Sequence, residues 1–476
     1  MDGGRRTTRR RRSSVVGRLA GLTKRVHFIG IGGSGLSAIA KVLMESGWQV
    51  SGSDQQLSPL AQALAAQGAV VHLGHAPENV DGAEVVVISS AVAPDNVEVQ
   101  AALARGVPVL KRADFLGQLM AGREGVAVAG THGKTTTTGL IAFLLDKAGL
   151  DPTFVVGGVL VDYGTNARAG QGRPFVIEAD EYDRMFLGLT PAVAVVTNVE
   201  HDHPDIYPTL REMQEAFRVF ADRLPADGLL VACARDAFAR RLAEERRALG
   251  RPAVVYGLRR EDDYRADSLQ LNNAGGYDFL FVRRGETLGL ARNRLPGEHN
   301  VLNSLAALAV ADHFGVDFNT ARGALAEYRG AGRRFEVKGE ARGVTVVDDY
   351  AHHPTEVRAT LAAARRRFAG RPLWVMFQPH TYSRTRTLLA EFAAAFEESD
   401  HVIVVDIFRS REAPDPAVSA RDIVRRMAHR DARYLPTLRE AAEALAAELK
   451  SGDVLLTLGA GDSDWVAAEV LRRLNG

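Results

Sequence analysis

The chain has 476 residues, and because domains usually contain about 100 to 200 residues, this length is enough for about three of them. Hydrophobic residues make up 46% and charged residues 25% of the chain, as in water-soluble globular proteins, and no apolar run approaches the ~18 residues that a membrane-spanning helix needs. The net charge is +1, but positions 1–25 contain nine basic residues and one acidic residue, so the rest of the chain is acidic. Composition therefore excludes a membrane-spanning protein and does not favour general binding to nucleic acid.

Residues 1–22 are arginine-rich and are interpreted as a flexible tail. Such a segment could contact nucleic acid or anionic lipid, but basic arms are more often only solvated. No apolar segment of signal-peptide length follows it, and the single cysteine, Cys233, cannot form an intramolecular disulfide. We therefore expect a cytoplasmic protein in which Cys233 is a buried apolar side chain. The sequence predicts no particular oligomeric state.

From Val26 onward, short apolar strands alternate with a helical segment, which predicts a parallel α/β sheet. A glycine-rich loop of residues 30–35 lies between the first strand and the first helix, and Asp54 follows the next strand. Glycines let the backbone approach a diphosphate, and the helix N-terminus supplies N–H donors. Alone, this pattern predicts a dinucleotide site. It can equally hold another nucleotide diphosphate, or simply form a tight turn that packs the helix on the sheet.

A second α/β series begins near residue 122 and contains a phosphate-binding loop. Val126–Ala129 reads as a buried strand, Gly130–Gly133 as a loop, and Lys134 and Thr135 as the start of a helix. Backbone N–H groups of such a loop wrap phosphates, the lysine offsets β- and γ-phosphate charge, and the hydroxyl can ligate Mg²⁺. Val128 stands where the standard pattern has glycine, so the loop is a shortened variant that fits a general NTPase less well.

Carboxylates and imidazoles follow two strands of the same series. The segment Glu178–Asp183 holds four carboxylates, which would repel one another unless a cation offsets them. Glu178 is the best Mg²⁺ candidate, although a solvated acidic loop is the alternative. Residues 197–203 follow another strand and place His201 and His203 at the same edge of the sheet.

Two asparagines lie three residues apart on a predicted helix. Asn300 and Asn303 therefore share one face, where their amides could bind a purine edge. On pattern alone, a helix N-cap and a buried amide are the preferred interpretation. The tract 250–295, with Asn272-Asn273 and Gly275-Gly276, predicts β-hairpins.

A third α/β series follows Gly330-Ala331-Gly332, and acid, histidine and arginine side chains gather at its strand ends. That edge is where ligands bind in open α/β sheets. The predicted fold class is α/β with three domains, each built on a mainly parallel sheet. The expected divisions are the tail 1–22 and domains 23–121, 122–331 and 332–476.

The order and spacing of these motifs resemble the Mur ligase family, which attaches amino acids to UDP-N-acetylmuramic acid. The resemblance covers nearly the whole chain from Val26. It rests on GTHGKTTT, EADE, TNVEHDH, GEHNVLN, GRRFE, DDYAHHPTE and FQPHTYSRT. The last two motifs favour the branch that joins L-alanine to UDP-N-acetylmuramate. Members that add later amino acids carry a lysine on the helix 213–220, and its absence here supports either this branch or the relative that reattaches a recovered peptide.

The resemblance implies a Rossmann-like UDP-binding domain, a P-loop ATP-binding domain and a C-terminal Rossmann-like domain. It also implies that ATP phosphorylates the muramyl carboxylate, that L-alanine attacks the acyl-phosphate, and that Mg²⁺ is the cofactor. The implied catalytic residues are Lys134, Glu178, His203, Arg334 and His352, and the implied metal ligands are Thr135, Glu178 and His203. The implied ATP site is Gly130, Thr131, His132, Gly133, Lys134, Thr135, Thr136, Asn300, Asn303, Arg334 and Asp349. The implied UDP-sugar site is Gly30, Gly32, Gly33, Ser34, Gly35, Ser53 and Asp54. The implied amino-acid site is Tyr350, His352, His380 and Arg384.

Three rival functions remain at this point. The nearest alternative is a ligase that reattaches a recovered tripeptide to the same nucleotide-sugar, and the motif FQPHTYSRT disfavours it. An NAD-dependent dehydrogenase would explain the first domain but would leave Lys134 and Glu178 without a role. A P-loop nucleotide switch is the third, and it would require nucleotide hydrolysis that is independent of UDP-N-acetylmuramate.

Overall fold

The computed structural model describes residues 24–476, so the tail of residues 1–22 lies outside the described residues. The chain forms two compact units. One extends to Arg123 and includes Gly188–Thr190, and the other contains the remainder. None of the helices in the described part of the chain is both long and apolar enough to cross a membrane.

The first unit contains a sheet of five parallel strands in the order β3-β2-β1-β4-β5. Its strands are β1 (Arg25–Ile29), β2 (Gln49–Asp54), β3 (Val70–Leu73), β4 (Val85–Ile88) and β5 (Val109–Lys111). Its helices are α1 (Ser34–Glu45), α2 (Pro59–Ala66), α3 (Val97–Ala104) and α4 (Arg112–Leu119). Because β1 lies between β2 and β4, the strand order reverses beside β1. The loop after β1 therefore lies at the switch point where such sheets bind ligands.

The second unit begins with a ten-stranded sheet in the order β15-β14-β13-β12-β11-β10-β6-β9-β7-β8. The pairs β7–β8, β13–β14 and β14–β15 are antiparallel, and the other pairs are parallel. Its strands are β6 (Glu124–Ala129), β7 (Thr153–Leu160), β8 (Thr165–Arg168), β9 (Pro174–Glu178), β10 (Val193–Val196), β11 (Leu229–Cys233), β12 (Ala253–Gly257), β13 (Tyr264–Leu271), β14 (Tyr277–Arg283) and β15 (Glu286–Asn293). Its helices are α5 (Lys134–Lys147), α6 (Leu210–Ala221), α7 (Ala237–Ala248), α8 (Glu298–His313) and α9 (Phe318–Glu327).

Helix α5, which begins directly after the P-loop, is buried along most of its length. Residues 135–145 are all buried, and the helix packs against α8 and α9 as well as against the sheet. A helix that is apolar on every side is stable only when it is enclosed in this way. The first turn of α5, which carries Lys134 and Thr135, is therefore held in a rigid core.

The third sheet has six strands in the order β16-β17-β21-β18-β19-β20, with only β16 antiparallel to its neighbour. Its strands are β16 (Glu336–Ala341), β17 (Val344–Asp349), β18 (Leu373–Phe377), β19 (His401–Val404), β20 (Ala432–Tyr434) and β21 (Val454–Leu458). Its helices are α10 (Pro354–Arg367), α11 (Tyr382–Thr387), α12 (Leu389–Ala393), α13 (Ala420–Arg426), α14 (Leu438–Glu448) and α15 (Asp464–Asn475). Helices α10, α12 and α13 contribute to one apolar core against the sheet, and α14 and α15 contribute to another.

The predicted fold class is confirmed, because three mainly parallel sheets follow one another along the chain. The predicted hairpins are also present, and Asn272 forms the turn between β13 and β14 by accepting the N–H groups of Ala274 and Gly276. Cys233 is buried, as predicted. Strands β2 and β17 extend further than the sequence indicated, so Asp54 and Asp349 are strand residues. The exact domain boundaries stay predictions.

Candidate active site

The P-loop is four residues long, from the end of β6 at Ala129 to the start of α5 at Lys134. Gly130 has a φ of +145°, and a Cβ there would lie 1.8 Å from Thr197 Oγ1. Gly133 has a φ of +80°, and a Cβ there would lie 2.8 Å from Asn303 Oδ1. Both positions therefore require glycine for conformation and for space. Val128 is fully buried in β6, which explains why the loop is shorter than the standard one.

Lys134 lies against its own loop and an acidic side chain. Its Nζ donates hydrogen bonds to Gly130 O (2.5 Å), Thr131 O (3.1 Å) and Glu181 Oε1 (2.8 Å). Burial alone would lower the pKa of Lys134, but the carboxylates of Glu181 and Asp180 raise it above its ordinary value. Lys134 is therefore an ammonium group at neutral pH, as a phosphate-binding lysine needs to be.

Thr135 and Glu178 meet at the carboxyl end of β9. Thr135 Oγ1 donates to Glu178 Oε1 (3.2 Å), and Glu178 Oε2 accepts the N–H of Gly157 (2.7 Å). Arg334 Nη2 lies 3.4 Å from Thr135 Oγ1. Burial raises the pKa of Glu178, and the charge of Lys134 opposes that rise. The predicted metal ligands Thr135 and Glu178 are thus brought into direct contact.

His203 lies beside Glu181, a residue that sequence reasoning did not single out. His203 Nε2 is 3.6 Å from Glu181 Oε1 and 3.7 Å from Asp202 Oδ2. Glu181 is 1% exposed, and its Oε2 has no hydrogen-bond partner within residues 24–476. A buried carboxylate oxygen without a partner, close to further carboxylates and a hydroxyl, fits Mg²⁺, which prefers oxygen ligands. The only sequence signal for Glu181 was its place in EADE.

Asn300 and Asn303 are buried amides in the first turns of α8. Asn300 Nδ2 donates to Pro296 O (2.7 Å), and Asn303 Nδ2 donates to Asn300 Oδ1 (2.9 Å). Gly297 is the N-cap of α8, so the interpretation of Asn300 as the cap is wrong. Asn303 lies against the P-loop glycine Gly133. Their contact with adenine stays a prediction.

The GRRFE and DDY motifs pack on each other in the third sheet. Asp349 Oδ2 accepts the N–H of Phe335 (2.7 Å), its Oδ1 accepts the N–H of Ala351 (2.8 Å), and burial raises the pKa of Asp349 to about 6. The guanidinium of Arg334 lies 4.9 Å from the ring centroid of Tyr350 and reaches towards Thr135. Arg334 is thus placed to contact phosphates, whereas Asp349 fixes backbone and its contact with ribose stays a prediction.

His352, His380 and Arg384 form a cluster with Asp202, in which Arg384 and Asp202 are buried and the two histidines are partly buried. Arg384 is 3% exposed, and its Nε donates to Asp202 Oδ1 (2.8 Å) while its Nη1 donates to His380 Nδ1 (3.0 Å). The rings of His352 and His380 are 5.7 Å apart. Burial lowers the pKa of His352 to about 4 and that of His380 to about 3, so both are neutral at pH 7. Asp202 was another residue that the sequence did not single out.

This cluster presents complementary groups for an amino acid. His352 Nδ1 donates to Tyr350 O (2.9 Å), which leaves the lone pair of the ring on Nε2. Arg384 Nη2 makes no hydrogen bond to any residue from 24 to 476. A carboxylate can bind at Nη2, and an amine can donate a proton to Nε2.

Strand β2 holds the glycine-rich loop of the first unit through hydrogen bonds. Gly30 has a φ of +88° and its N–H donates to Ser53 O, while the N–H of Gly32 donates to Asp54 Oδ2 (2.9 Å). The hydroxyl of Ser53 donates to the buried Glu98 (2.5 Å). Ser53 and Asp54 therefore hold the loop in shape, and their direct contact with a UDP-sugar stays a prediction. Ser34 opens helix α1 directly after Gly33.

Arg112 is a cation at this loop that the sequence did not reveal. A Cβ at Gly35 would lie 2.0 Å from Arg112 Nη1, so the guanidinium lies against the first turn of α1 in the space that glycine leaves. A guanidinium next to a helix N-terminus is well placed to bind a diphosphate.

His132, in the P-loop, lies between two carboxylates. Its Nε2 is 3.1 Å from Glu200 Oε2, and its Nδ1 is 3.2 Å from Glu356 Oε1. Burial would lower the pKa of His132, but the two carboxylates raise it to about 9. Because the folded-state pKa lies above the ordinary value of about 6.5, the resulting stabilisation is complete below pH 6.5 and is lost as the pH rises through about 9.

We expect the ring protons of His132 to titrate in NMR spectra with a midpoint near pH 9, because both of its nitrogens face carboxylates. The resonance is assigned by its loss in His132→Gln, and the midpoint should fall in Glu200→Gln because one carboxylate is neutralised. A midpoint near 6.5 in the unsubstituted protein would contradict the ion-pair assignment.

A shortened P-loop beside buried carboxylates, on an α/β frame of three mainly parallel sheets, defines a nucleotide-binding enzyme. Models of one known protein family match most of the chain and support this class. Models of the Mur ligase family match in three segments: the catalytic domain over residues 25–124, the middle domain over 128–311, and the glutamate ligase domain over 333–461. The chain belongs to the Mur ligase family and is an ATP-dependent ligase.

Curated relatives and solved structures are similar over nearly their whole length. The chain is 46% identical over 459 residues to UDP-N-acetylmuramate–L-alanine ligase of Geobacter sp. strain M21, covering 95% of this chain and 98% of the relative. It is 48% identical to the ligase of the same name from Roseiflexus sp. strain RS-1, covering 92% and 96%. The crystal structure of UDP-N-acetylmuramate-alanine ligase from Thermotoga maritima matches with a TM-score of 0.79 at 28% identity, covering 94% and 98%. A murein peptide ligase from Psychrobacter arcticus matches with a TM-score of 0.69 at 25% identity, covering 95% and 98%.

These findings confirm the resemblance to the Mur ligase family. The dehydrogenase and nucleotide-switch alternatives are therefore wrong.

Proposed function

We propose that the protein joins L-alanine to the carboxylate of UDP-N-acetylmuramate in the cytoplasm, with consumption of ATP and with Mg²⁺ as cofactor. The products are ADP, phosphate and UDP-N-acetylmuramoyl-L-alanine, a peptidoglycan precursor. The observation that carries the proposal is the pocket formed by the buried Arg384 and the partly buried His352 and His380, which offers a cation for one carboxylate and neutral imidazoles for one amine.

In the first step, a muramyl carboxylate oxygen attacks the γ-phosphorus of ATP, the bond to the β–γ bridging oxygen breaks, and ADP leaves. Lys134 from the P-loop and Arg334 from the third sheet offset the charge of the transferring phosphoryl group. Thr135, Glu178 and His203, with Glu181 beside them, would hold Mg²⁺, which supplies further charge stabilisation to the phosphoryl oxygens.

In the second step, the amine of L-alanine attacks the carbonyl carbon of the acyl-phosphate, and phosphate leaves as the amide forms. Arg384 binds the alanine carboxylate and orients the amine, and the Nε2 lone pair of His352 accepts the proton that the amine loses. Its low pKa keeps His352 neutral, so that this lone pair is free at pH 7.

Attachment of a tripeptide to the same nucleotide-sugar is the second candidate, because a murein peptide ligase also matches the fold at 25% identity. Full burial of Arg384 favours the smaller amine, since a tripeptide needs an open path beyond its first residue. Helix α6, with arginines at 211 and 218 and no lysine, is consistent with both candidates.

The deciding experiment measures phosphate release from ATP and Mg²⁺ with UDP-N-acetylmuramate present. We expect L-alanine to stimulate release at least about tenfold more than glycine, L-serine or the tripeptide, since loss of even one buried contact is worth that factor. Preferential stimulation by the tripeptide would establish the second candidate. If no amine stimulates release, the proposed ligation is wrong.

A further inference from the structure

Glu356 lies in the first turn of α10 and completes its N-terminal capping box. Its Oε2 accepts the N–H groups of His352 (3.0 Å) and His353 (3.2 Å). A glutamate at this position of a helix ordinarily does no more than satisfy such backbone donors.

The other oxygen of Glu356 reaches the P-loop. Glu356 Oε1 is 3.2 Å from Nδ1 of His132. The backbone of His132 is itself fixed, because its carbonyl accepts hydrogen bonds from Thr197 Oγ1 and Asn198 Nδ2, and its N–H donates to Asn198 Oδ1. The imidazole of His132 is therefore a rigid connection from the P-loop to the start of α10.

A second contact runs parallel to the first. His132 Nε2 is 3.1 Å from Glu200 Oε2, which also accepts the hydroxyl proton of Thr355 (2.7 Å). Thr355 and Glu356 are neighbours on α10. Loop residues that follow β6 and β10 thus hold this helix end at two adjacent points, and both contacts are hydrogen bonds to a carboxylate.

The capping function alone does not require these contacts. Helix α14 has the same kind of capping box, in which Glu440 bonds the N–H and hydroxyl of Thr437, and this box is exposed. Glu356 is mostly buried, with its side chain 13% exposed, and joins two segments that lie 224 residues apart.

We propose that Glu356 is a positioning residue that sets the P-loop in register with the amine-binding pocket. One of its oxygens holds the N–H of His352, the residue that handles the amine under the proposed function, and the other holds His132 of the loop that cradles phosphate. The role assigned to His352 rests on that proposed function. The link from Glu356 to the P-loop rests on geometry alone.

The test compares Glu356→Ala, Glu356→Gln, His132→Gln, the double variant Glu356→Ala/His132→Gln, and Glu440→Ala as the matched capping control. Steady-state kinetics give kcat and the KM values for ATP and L-alanine. Equilibrium binding of a non-hydrolysable ATP analogue with Mg²⁺ gives a readout that needs no amine. Thermal unfolding shows which variants are folded.

We expect Glu356→Ala to lower kcat/KM for ATP and affinity for the analogue by about ten- to hundredfold. Loss of a charge-assisted hydrogen bond usually changes an equilibrium constant by about that factor. Glu356→Gln keeps the acceptor for the cap, so it should be more stable to unfolding than Glu356→Ala and still show part of this loss. The double variant should lose less than the product of the two single losses, because both changes break the contact between Glu356 and His132. Glu440→Ala should leave kinetics and analogue binding unchanged.

Two results would overturn the inference: Glu356→Ala matching Glu440→Ala in analogue binding, or losses that multiply in the double variant. If the proposed function is wrong, the result is a different one: the unsubstituted protein releases no phosphate in response to any amine. Analogue binding would still report on Glu356 in that case.

Discussion

Replacing Lys134 with alanine is expected to slow phosphate release by about a thousandfold or more, because preorganised charge at the transferring phosphoryl group contributes strongly to lowering the activation barrier. The Nζ of Lys134 lies 2.8 Å from Glu181 Oε1, and its side chain is only 14% exposed. In that environment its charge is poorly screened, so water cannot replace it.

The measurement is acceptor-stimulated phosphate release at saturating substrates, paired with equilibrium binding of UDP-N-acetylmuramate. Binding of the nucleotide-sugar should stay near normal, because the glycine-rich loop proposed for it lies in the other compact unit. Lys147→Ala is the matched control, since Lys147 ends the same helix and forms an ion pair with the exposed Glu327. Retention of more than about a tenth of the rate by Lys134→Ala would contradict the assigned role.

Replacing Arg384 with alanine is expected to raise the KM for L-alanine by about a hundredfold or more, while the KM for ATP changes only a few-fold. The free energy of unfolding of the variant should also fall by about 3 to 5 kcal/mol, because Asp202 is left buried without its partner. Arg384 holds the pKa of Asp202 well below its usual value, so this carboxylate is charged at neutral pH.

The double variant Arg384→Ala/Asp202→Asn separates the two effects. Removing both charges should recover much of the lost stability, yet the KM for L-alanine should remain high because the guanidinium is still missing. Arg386→Ala is the matched control, since Arg386 lies on the same short helix, is largely exposed and pairs with Asp415. Recovery of alanine binding along with stability would show that Arg384 only maintains the fold.

Elements whose signals are local could be predicted from sequence. The strand, loop and helix around Gly130 and Lys134 follow from apolar periodicity and from glycine at positions with positive φ. The gathering of Glu178 and His203 at one sheet edge follows from the direction of parallel strands.

The pairing of polar side chains could not be predicted in the same way. Ligand contacts were expected at three strand-end residues, Ser53, Asp54 and Asp349. In the structure, the hydroxyl of Ser53 donates to a buried carboxylate, and the carboxylates of Asp54 and Asp349 accept backbone N–H groups. Glu181 lay in a recognised motif, yet only burial without a partner for Oε2 distinguishes it from its acidic neighbours.

The sequence by itself determined the α/β class, the order of the three sheets and the identity of the phosphate-binding loop, because these depend on periodicity and turn chemistry over a few residues. Only the tertiary structure decided that Glu356 meets His132 and that Arg384 meets Asp202, across separations of 224 and 182 residues. The physical reason is that a buried charge needs a partner, and the packing of distant segments decides which charge is close enough to serve.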